Sequence, residues 1–449
     1  MDLILREFLK NAANVKPTRQ QLNWYNTEFY AFIHFSPNTY TDREWGLGNE
    51  DPAVFNPTKL DCDQWVAAIK SAGMKGLVIT AKHHDGFCLW PSKYTEHSVK
   101  NSPYKDGKGD IVREAMEACK RGGIKFGFYL SPWDRNSKYY GTSEYNDYFK
   151  AQLTELLTEY GDIFHVWFDN ACGEGVNGKK QIYDFEGYID LIRKYQPNAT
   201  IFNDFGPDVR WCGNEAGQAR YAEWAVVPKE LTYRSMSQTD GAPMEGELSS
   251  MYNGDIDIGA LSNIIYSKGL TFCGSEIDMS IRPGWFWHEK EEPHTLERLI
   301  KTYITSVGGN CCFNLNVPPN REGLIDERDV KRLKELGEAL NNTFGINIAK
   351  DAKFENINIK SDTQCIIDII FECEKEIRYI VLEEDISQGQ RVESFIIQTE
   401  NENKSYDKHY MGTCIGHKKI CSVHIKTKKV RIFVTSARDK VIFKNIALY

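Results

Sequence analysis

The chain has 449 residues and a formal net charge of −8, without a long basic run. It is long enough for two or three domains, and its acidic balance argues against nucleic acid or an anionic membrane surface as the main partner. No stretch approaches the roughly 20 apolar residues that a membrane-spanning helix requires.

The N-terminus and the cysteines bear on the compartment. Asp2 stands where a secretory signal carries basic residues, and charged residues soon interrupt the apolar run. The 12 cysteines are scattered and include no Cys-x-x-Cys pair, so we expect reduced thiols rather than disulfides or a zinc site. As it stands the sequence predicts a cytoplasmic protein, or an extracellular or periplasmic one if a signal has been removed.

From residue 29 onward, buried strands alternate with amphipathic helices. The helix after Asp61, for example, carries Trp65 and Ile69 on one face, and Gly73 ends it. The first five strands are predicted at residues 29–35, 76–81, 124–130, 163–168 and 199–203. A less regular pattern predicts the last three at residues 221–227, 269–273 and 310–315. About eight strands that alternate with helices are typical of an α/β fold with a (β/α)8, TIM-like barrel.

Two connections of this barrel are too long to be plain links. They cover residues 204–220 and 236–293, and segments of that length are often functional. We therefore expect them to form walls of a site at the barrel mouth.

After residue 345 the pattern changes. Runs with period-2 alternation, separated by turn residues, replace the amphipathic helices, for example at residues 365–371 and 430–434. This pattern is typical of a small antiparallel β-sandwich. The sequence thus predicts a catalytic barrel at residues 1–345 and a C-terminal β-sandwich domain at residues 346–449.

The fourth predicted strand ends on a single carboxylate, Asp169, in the stretch His-Val-Trp-Phe-Asp-Asn at residues 165–170. A buried carboxylate is costly unless it is paired, and barrel enzymes place catalytic groups at the carboxyl ends of strands. Taken alone, Asp169 is equally well explained as a helix cap or as the partner of an arginine.

Acids, histidines and aromatic residues gather near the same ends of the other predicted strands. Because the carboxyl ends of the strands meet at one mouth of a parallel barrel, we expect these side chains to line a single site. The candidates are His34, Glu44, Trp45, His83, His84, Tyr129, Trp167 and Asp169.

A metal site is one alternative for this cluster. Zinc-dependent barrel hydrolases use at least three His or carboxylate ligands, whereas the first strand offers only His34 instead of a His-x-His pair. The adjacent His83 and His84 point to opposite faces of a strand unless the strand has already ended. We expect neither a metal nor an organic cofactor.

A sugar site fits the same residues better, because a glycosidase needs two carboxylates on either side of the bond that it cleaves. Asp169 supplies one of them. The best candidate for the second is Glu215, which is flanked by glycines within the first long segment. Glu223, Glu276 and Asp278 remain open as alternatives.

Several motifs then carry a family resemblance, in the correct order along the barrel. They are Phe-Ile-His-Phe at 32–35, Glu-Trp at 44–45, Lys-His-His-Asp-Gly-Phe at 82–87, Val-Trp-Phe-Asp at 166–169, Gly-Asn-Glu-Ala-Gly at 213–217, Glu-Trp at 223–224, Arg-Pro-Gly-Trp-Phe at 282–286 and Asn-Val-Pro-Pro-Asn at 316–320. The chain resembles the α-L-fucosidases of glycoside hydrolase family 29, in the branch that acts on α-1,3 and α-1,4 fucosyl linkages. That family also has a C-terminal β-sandwich.

The resemblance implies a role for each site residue. Asp169 matches the catalytic nucleophile of the family, and Glu215 matches the acid/base of this branch. The fucose pocket of the family carries over to His34, Glu44, Trp45, His83, His84, Tyr129 and Trp285. Departures are Asn170, where the motif often has Gly, Trp287, where it often has Tyr, and the pair Cys311 and Cys312.

The resemblance therefore implies a retaining exo-α-L-fucosidase that removes fucose from branched, Lewis-type glycans. Its expected partner is a fucosylated oligosaccharide or glycoconjugate, with no nucleic acid and no membrane. Two other functions stay open: a catalytically silent glycan-binding protein on the same scaffold, and a retaining glycosidase for another sugar.

Overall fold

The computed structural model describes residues 3–204, 206–229, 257–357, 359 and 361–449. Within them we number sixteen strands in chain order. These are β1 (Phe29–Ile33), β2 (Gly76–Lys82), β3 (Lys125–Leu130), β4 (His165–Trp167), β5 (Thr200–Phe202), β6 (Val209–Trp211), β7 (Val226–Pro228), β8 (Leu270–Phe272), β9 (Gly274–Ser280), β10 (Cys311–Asn316), β11 (Lys353–Ile357), β12 (Cys365–Glu384), β13 (Val392–Glu400), β14 (Tyr406–Gly412), β15 (Lys419–Ala437) and β16 (Phe443–Leu448).

The α-helices of the described residues lie mainly between the barrel strands. They are α1 (Leu3–Ala13), α2 (Arg19–Tyr25), α3 (Pro37–Thr41), α4 (Cys62–Ser71), α5 (Ile111–Gly122), α6 (Tyr145–Glu159), α7 (Phe185–Tyr195), α8 (Leu261–Ile264), α9 (Leu296–Ser306) and α10 (Glu327–Phe344). Helix α5 shows why they form where they do. The Asp110 carboxylate accepts a hydrogen bond from the amide of Arg113 at its start, and Gly123 ends it with a φ of 67°.

Eight parallel strands close into a barrel, which confirms the predicted TIM-like fold. The order around the barrel is β1, β2, β3, β4, β5, β6, β9, β10 and back to β1. In β1, Phe29, Ala31 and Ile33 pack towards the helices, whereas Tyr30 and Phe32 lie in a second cluster inside the barrel. The period of two along each strand therefore decides which side chains reach the interior.

The sixth and seventh strands were predicted in the wrong places. The sixth barrel strand is β6 and the seventh is β9, whereas residues 226–228 and 270–272 form β7 and β8, a separate antiparallel pair. Strand β6 has only three residues, too few for a pattern to show. Strand β9 has polar Glu276 and Asp278 at alternate positions, so it lacks the apolar run of a buried strand.

The C-terminal part is a six-stranded antiparallel sheet, consistent with the predicted β-sandwich. Its order is β11, β12, β15, β13 and β14, with β16 paired to β12. The long strands β12 and β15 pair along most of their length and are interrupted by register shifts at residues 370–375 and 377–379. Such irregularities bend strands and increase their twist.

The sheet contacts the barrel at the end opposite to its mouth. Glu28, just before β1, accepts from Lys418 at 2.6 Å and lies 3.0 Å from the His417 ring nitrogen. Asn310, just before β10, accepts a hydrogen bond from the amide of His417 at 2.7 Å. Although burial opposes the shift, His417 and Lys418 lower the pKa of Glu28, which keeps this junction charged.

None of the helices in the described ranges is long and apolar enough to cross a membrane. All 12 cysteines are free thiols, and most of them are buried.

Candidate active site

The alternation inside the barrel delivers the predicted residues to its mouth. In the fourth strand, Val166 and Phe168 face the helices, so Trp167 faces the interior and Asp169 follows it at the end of the strand. Tyr129, paired with Trp167 in the adjacent strand, also faces inward. The structure therefore brings the candidates from different strands together at one end of the barrel.

Asp169 has few partners in this site. Its Oδ2 accepts a hydrogen bond from the Tyr129 hydroxyl at 3.1 Å and lies 3.7 Å from Nε2 of His84. Its Oδ1 accepts from the amide of Ala171 at 2.8 Å. The side chain is 28% exposed, so a substrate can reach a carboxylate oxygen that the protein holds in a fixed direction.

Three histidines line the same region, and all are buried. Strand β2 ends at Lys82, so His83 and His84 both turn into the site, with ring centroids 4.1 Å apart. Burial lowers the pKa of His34 to about 3 and also lowers the pKa values of His83 and His84, although Asp169 opposes the shift at His84. These rings are therefore neutral near pH 7 and can accept as well as donate hydrogen bonds.

The histidine rings are oriented by partners outside the pocket. His34 Nδ1 lies 2.8 Å from Oδ1 of Asn316, and His84 Nδ1 lies 2.7 Å from the Ser131 hydroxyl. In contrast, the buried Nδ1 of His83 has no hydrogen-bond partner among the described residues.

Glu215 lies on the loop after β6, at the other side of the mouth. Its Oε2 accepts a hydrogen bond from the indole N–H of Trp285 at 3.1 Å. Glu215 is an exposed residue, but the protein around its carboxyl group removes part of the solvent. This desolvation raises the pKa of Glu215. The Trp285 hydrogen bond opposes the increase, and the charges of Asp169 and Glu44 add to it. The carboxyl groups of Asp169 and Glu215 thus lie close enough for their charges to interact.

Glu44 is engaged by the protein rather than left free. Its Oε2 accepts from the amide of Trp285 at 2.8 Å, and its Oε1 accepts from the amide of Phe286 at 3.3 Å. Nε2 of His288 lies 2.6 Å from the same Oε1. Sequence reasoning did not find His288, because nothing in its own segment indicates a partner more than 240 residues away.

The predicted tryptophans occupy different levels of the site. Trp45 is 59% exposed at the rim and meets the Trp133 ring edge-on, with centroids 5.7 Å apart. Trp285 packs on His34 with centroids 5.0 Å apart. Trp167 lies deeper, stacked on Phe202, and its indole N–H donates downward to Glu276 at 2.9 Å. It forms the floor of the site rather than its wall.

Below this floor, Glu276 is fully buried and surrounded by donors. Besides Trp167 it accepts from Asn314 at 3.0 Å and from the Tyr30 hydroxyl, and His165 Nε2 lies 3.3 Å away. Both of its carboxylate oxygens thus accept hydrogen bonds inside the protein. Of the alternative acids, Glu223 is likewise held by Arg210 and Arg220, and Asp278 accepts from Trp211.

A third carboxyl group near Asp169 was not found from the sequence. Asp204 follows β5, and its side chain hydrogen bonds with that of Asn170. Burial and the charge of Asp169 raise the pKa of Asp204 to about 8, so it is protonated at neutral pH. Its position in a turn after a three-residue strand gave no sequence signal.

No group of three or more His, Cys, Asp or Glu side chains in the described part of the chain is arranged to hold a metal ion. The site instead combines the carboxyl groups of Asp169 and Glu215, neutral imidazoles and indole surfaces. Paired carboxyl groups at the mouth of a barrel, with aromatic surfaces around them, define a glycoside hydrolase.

Comparisons with known proteins identify the family. A family model described as Alpha-L-fucosidase matches residues 12–343. Alpha-L-fucosidase 1 of Arabidopsis thaliana is 38% identical over 462 aligned residues, which cover 96% of this chain and 87% of that protein. The chain therefore belongs to the glycoside hydrolase family 29 α-L-fucosidases, which act on fucosylated glycans.

Solved structures agree with this assignment. A glycoside hydrolase 29 family member from an unknown rumen bacterium has a TM-score of 0.84 at 38% identity, covering 97% of this chain and 77% of that chain. A Ruminococcus gnavus GH29 fucosidase in complex with fucose has a TM-score of 0.86 at 29% identity, covering 97% of this chain and 95% of that chain. The similarity extends through the C-terminal sheet.

Proposed function

We propose that this α-L-fucosidase is a retaining exo-enzyme with Asp169 as nucleophile and Glu215 as acid/base, specific for α-1,3- and α-1,4-linked fucose. The observation that carries the proposal is the pairing of two carboxyl groups in different surroundings at the mouth. Asp169 is fixed by Tyr129 and partly open, whereas Glu215 sits opposite with a raised pKa. A retaining glycosidase needs this combination.

In the first step, an oxygen of Asp169 attacks the anomeric carbon of fucose and forms an ester as the glycosidic C–O bond breaks. The Tyr129 hydroxyl holds Asp169 in the direction of attack. The raised pKa favours the protonated form of Glu215, which can give its proton to the departing oxygen. The acceptor sugar then leaves as an alcohol.

In the second step, water replaces the acceptor sugar. The ester has removed the negative charge of Asp169, which was one cause of the raised pKa of Glu215. The pKa therefore falls, and the carboxylate takes a proton from water as the water attacks the anomeric carbon. Asp169 is released, and fucose leaves with its original anomeric configuration.

The pocket around these two acids suits a 6-deoxy sugar. Neutral His34, His83 and His84 provide directional donors and acceptors for ring hydroxyls. Trp285, which packs on His34 and is partly exposed, offers apolar surface for the C6 methyl group. A hexose with a C6 hydroxyl would bury that hydroxyl against carbon.

The linkage preference rests on the walls beyond the pocket. Exposed Trp45 and the loop with Glu215 stand at the rim, where the sugar next to fucose would lie. The second long segment of the sequence, residues 236–293, is a further candidate wall, although residues 236–256 lie outside the described ranges. A neighbouring galactose bound there would add binding energy at the reacting bond.

The test is a comparison of kcat/KM for three substrates under identical conditions. They are a Lewis trisaccharide, 2′-fucosyllactose and an aryl fucoside. The proposal predicts that the trisaccharide exceeds both others by at least about tenfold, because only it places galactose beside the α-1,3- or α-1,4-linked fucose. Equal values for all three would show that no such subsite operates.

A further inference from the structure

A chain of short contacts runs from the protein surface to Glu215. It begins at Asp42, whose Oδ1 lies 2.7 Å from Nδ1 of His288, and continues from Nε2 of His288 to Glu44 at 2.6 Å. Glu44 in turn accepts from the amides of Trp285 and Phe286, and the Trp285 indole donates to Glu215. All of these residues lie in the described ranges. Their contacts join the loop with Asp42 and Glu44 to the distant loop with Trp285 and His288.

The geometry fixes the protonation of His288. Both ring nitrogens face carboxylate oxygens, which only accept, so both nitrogens must carry protons and the ring is an imidazolium. Around the ring, Glu291 adds negative charge, while Arg321 and Lys290 lie near Asp42. Although partial burial opposes the shift, Asp42 and Glu44 raise the pKa of His288.

Gly284 leaves room for the contact between Glu44 and His288. A side chain at Gly284 would lie 2.6 Å from Oε1 of Glu44 and 2.9 Å from the His288 ring. The amide of Gly284 is itself held by Glu291 at 3.0 Å. A residue without a side chain therefore lets Glu44 and His288 close on the segment that carries Trp285.

We propose that His288 is a positioning residue for the acid/base: through Glu44 it fixes Trp285, and through Trp285 the carboxyl group of Glu215. This inference rests on the proposed role of Glu215. Glu44, which matches a fucose-pocket residue of the family, would then act through its contacts with the protein as well. His288 itself touches neither Glu215 nor Asp169 and acts only through this chain.

The first test is His288→Ala, compared with His294→Gln as a control in the same segment, since the His294 side chain lies outside the chain of contacts. His288→Ala should reduce kcat for the Lewis trisaccharide on the order of tenfold or more, and reduce kcat for an activated aryl fucoside much less, since that leaving group needs little protonation. His288→Gln keeps one donor for Glu44 and should recover most of the loss.

The pH dependence of kcat/KM distinguishes a positioning role from a purely structural one. If His288 only stabilised the loop, its removal would leave the pH profile unchanged. Loss of His288 frees the Trp285 indole and removes a positive charge, and both changes raise the pKa of Glu215. The alkaline limb of kcat/KM should therefore move to higher pH in His288→Ala. The variant Asp42→Asn, which alters a mostly exposed carboxylate, should give a smaller shift in the same direction.

Two outcomes overturn the inference in different ways. Equal losses on both substrates with an unmoved alkaline limb in His288→Ala would show that His288 only stabilises the loop. Glu215→Gln, measured in parallel, should itself lose activity mainly on the trisaccharide. If that variant keeps wild-type rates on both substrates, the acid/base assignment falls and the positioning role falls with it. If it behaves as predicted while His288→Ala does not, only the positioning role is wrong.

Discussion

Glu276 and Asp169 are two carboxylates on the inside of one barrel, a few side chains apart, and their surroundings differ. Glu276 is fully buried, accepts from Trp167, Asn314 and Tyr30 and lies beside His165. Asp169 is 28% exposed, and among the side chains that the structure describes only the Tyr129 hydroxyl donates to it. Trp167 lies between the two levels.

The difference fits a structural role for Glu276 and the proposed reactive role for Asp169. A buried carboxylate that accepts from three side chains stabilises the fold but has no exposed oxygen for a substrate. Asp169 accepts from one side chain and one amide and is partly exposed, so a substrate can reach it. The donors around an acid, together with its burial, are thus a better guide to its role in this barrel than its place on a strand.

The largest expected effect is that of Asp169→Ala. Removal of the proposed nucleophile should lower kcat on the order of 10⁴-fold or more, while the free energy of unfolding changes by less than about 1 kcal/mol, because few contacts are lost. Steady-state kinetics and urea unfolding measure both quantities. Activity close to wild type in the folded variant would remove Asp169 from the mechanism.

Glu215→Ala should lower kcat by about 10²- to 10⁴-fold on a natural trisaccharide and far less on an activated aryl fucoside. Azide should restore part of the rate on the aryl substrate by attacking the fucosyl-enzyme, with α-fucosyl azide as the product. The matched control is Glu223→Ala, whose carboxylate is held by two arginines. If Glu223→Ala loses activity selectively on the trisaccharide and Glu215→Ala does not, Glu215 is not the acid/base.

Glu276→Ala tests the other side of the comparison. It leaves the N–H groups of Trp167 and Asn314 without their acceptor inside the barrel, so the free energy of unfolding should fall by about 3–5 kcal/mol. Urea unfolding beside Asp169→Ala gives the contrast directly. A stability loss no greater than that of Asp169→Ala would mean that the donors around Glu276 do not matter.

The smallest expected effect concerns pH. The proposed first step needs Glu215 protonated, so kcat/KM should decline as the pH rises through the pKa of Glu215, which is raised above its usual value. Trp285→Phe removes the indole hydrogen bond that opposes this increase, so the alkaline limb should move up by roughly half a pH unit. A limb that stays in place or moves down would show that the indole does not govern Glu215.

Much of the fold was predictable because most barrel strands, such as β1 and β2, are apolar on both faces and form continuous runs. The prediction was wrong at β6 and β9, where a strand is very short or has polar residues at the positions that face the interior. One of these polar residues, Glu276, accepts a hydrogen bond from Trp167 at the floor of the site. The apolar pattern that predicts strands is therefore weakest next to the site.

The candidate site was also predictable only in part. Asp169, Tyr129 and the histidines adjoin strand ends, and the topology of a parallel barrel alone brings them together. The contact between His288 and Glu44, and that between Asp204 and Asn170, join separate loops. Such contacts depend on the path of each loop, which no local periodicity encodes.

The most direct test of the central claim is covalent trapping with a 2-deoxy-2-fluorofucosyl fluoride, followed by mass spectrometry of a proteolytic digest. The fluorine slows hydrolysis of the ester more than its formation, so the intermediate accumulates. We predict one added fluorofucosyl group per chain, located on the peptide that contains Asp169 and absent from the Asp169→Ala variant. A label on Glu215, Asp204 or Glu276 would contradict the account.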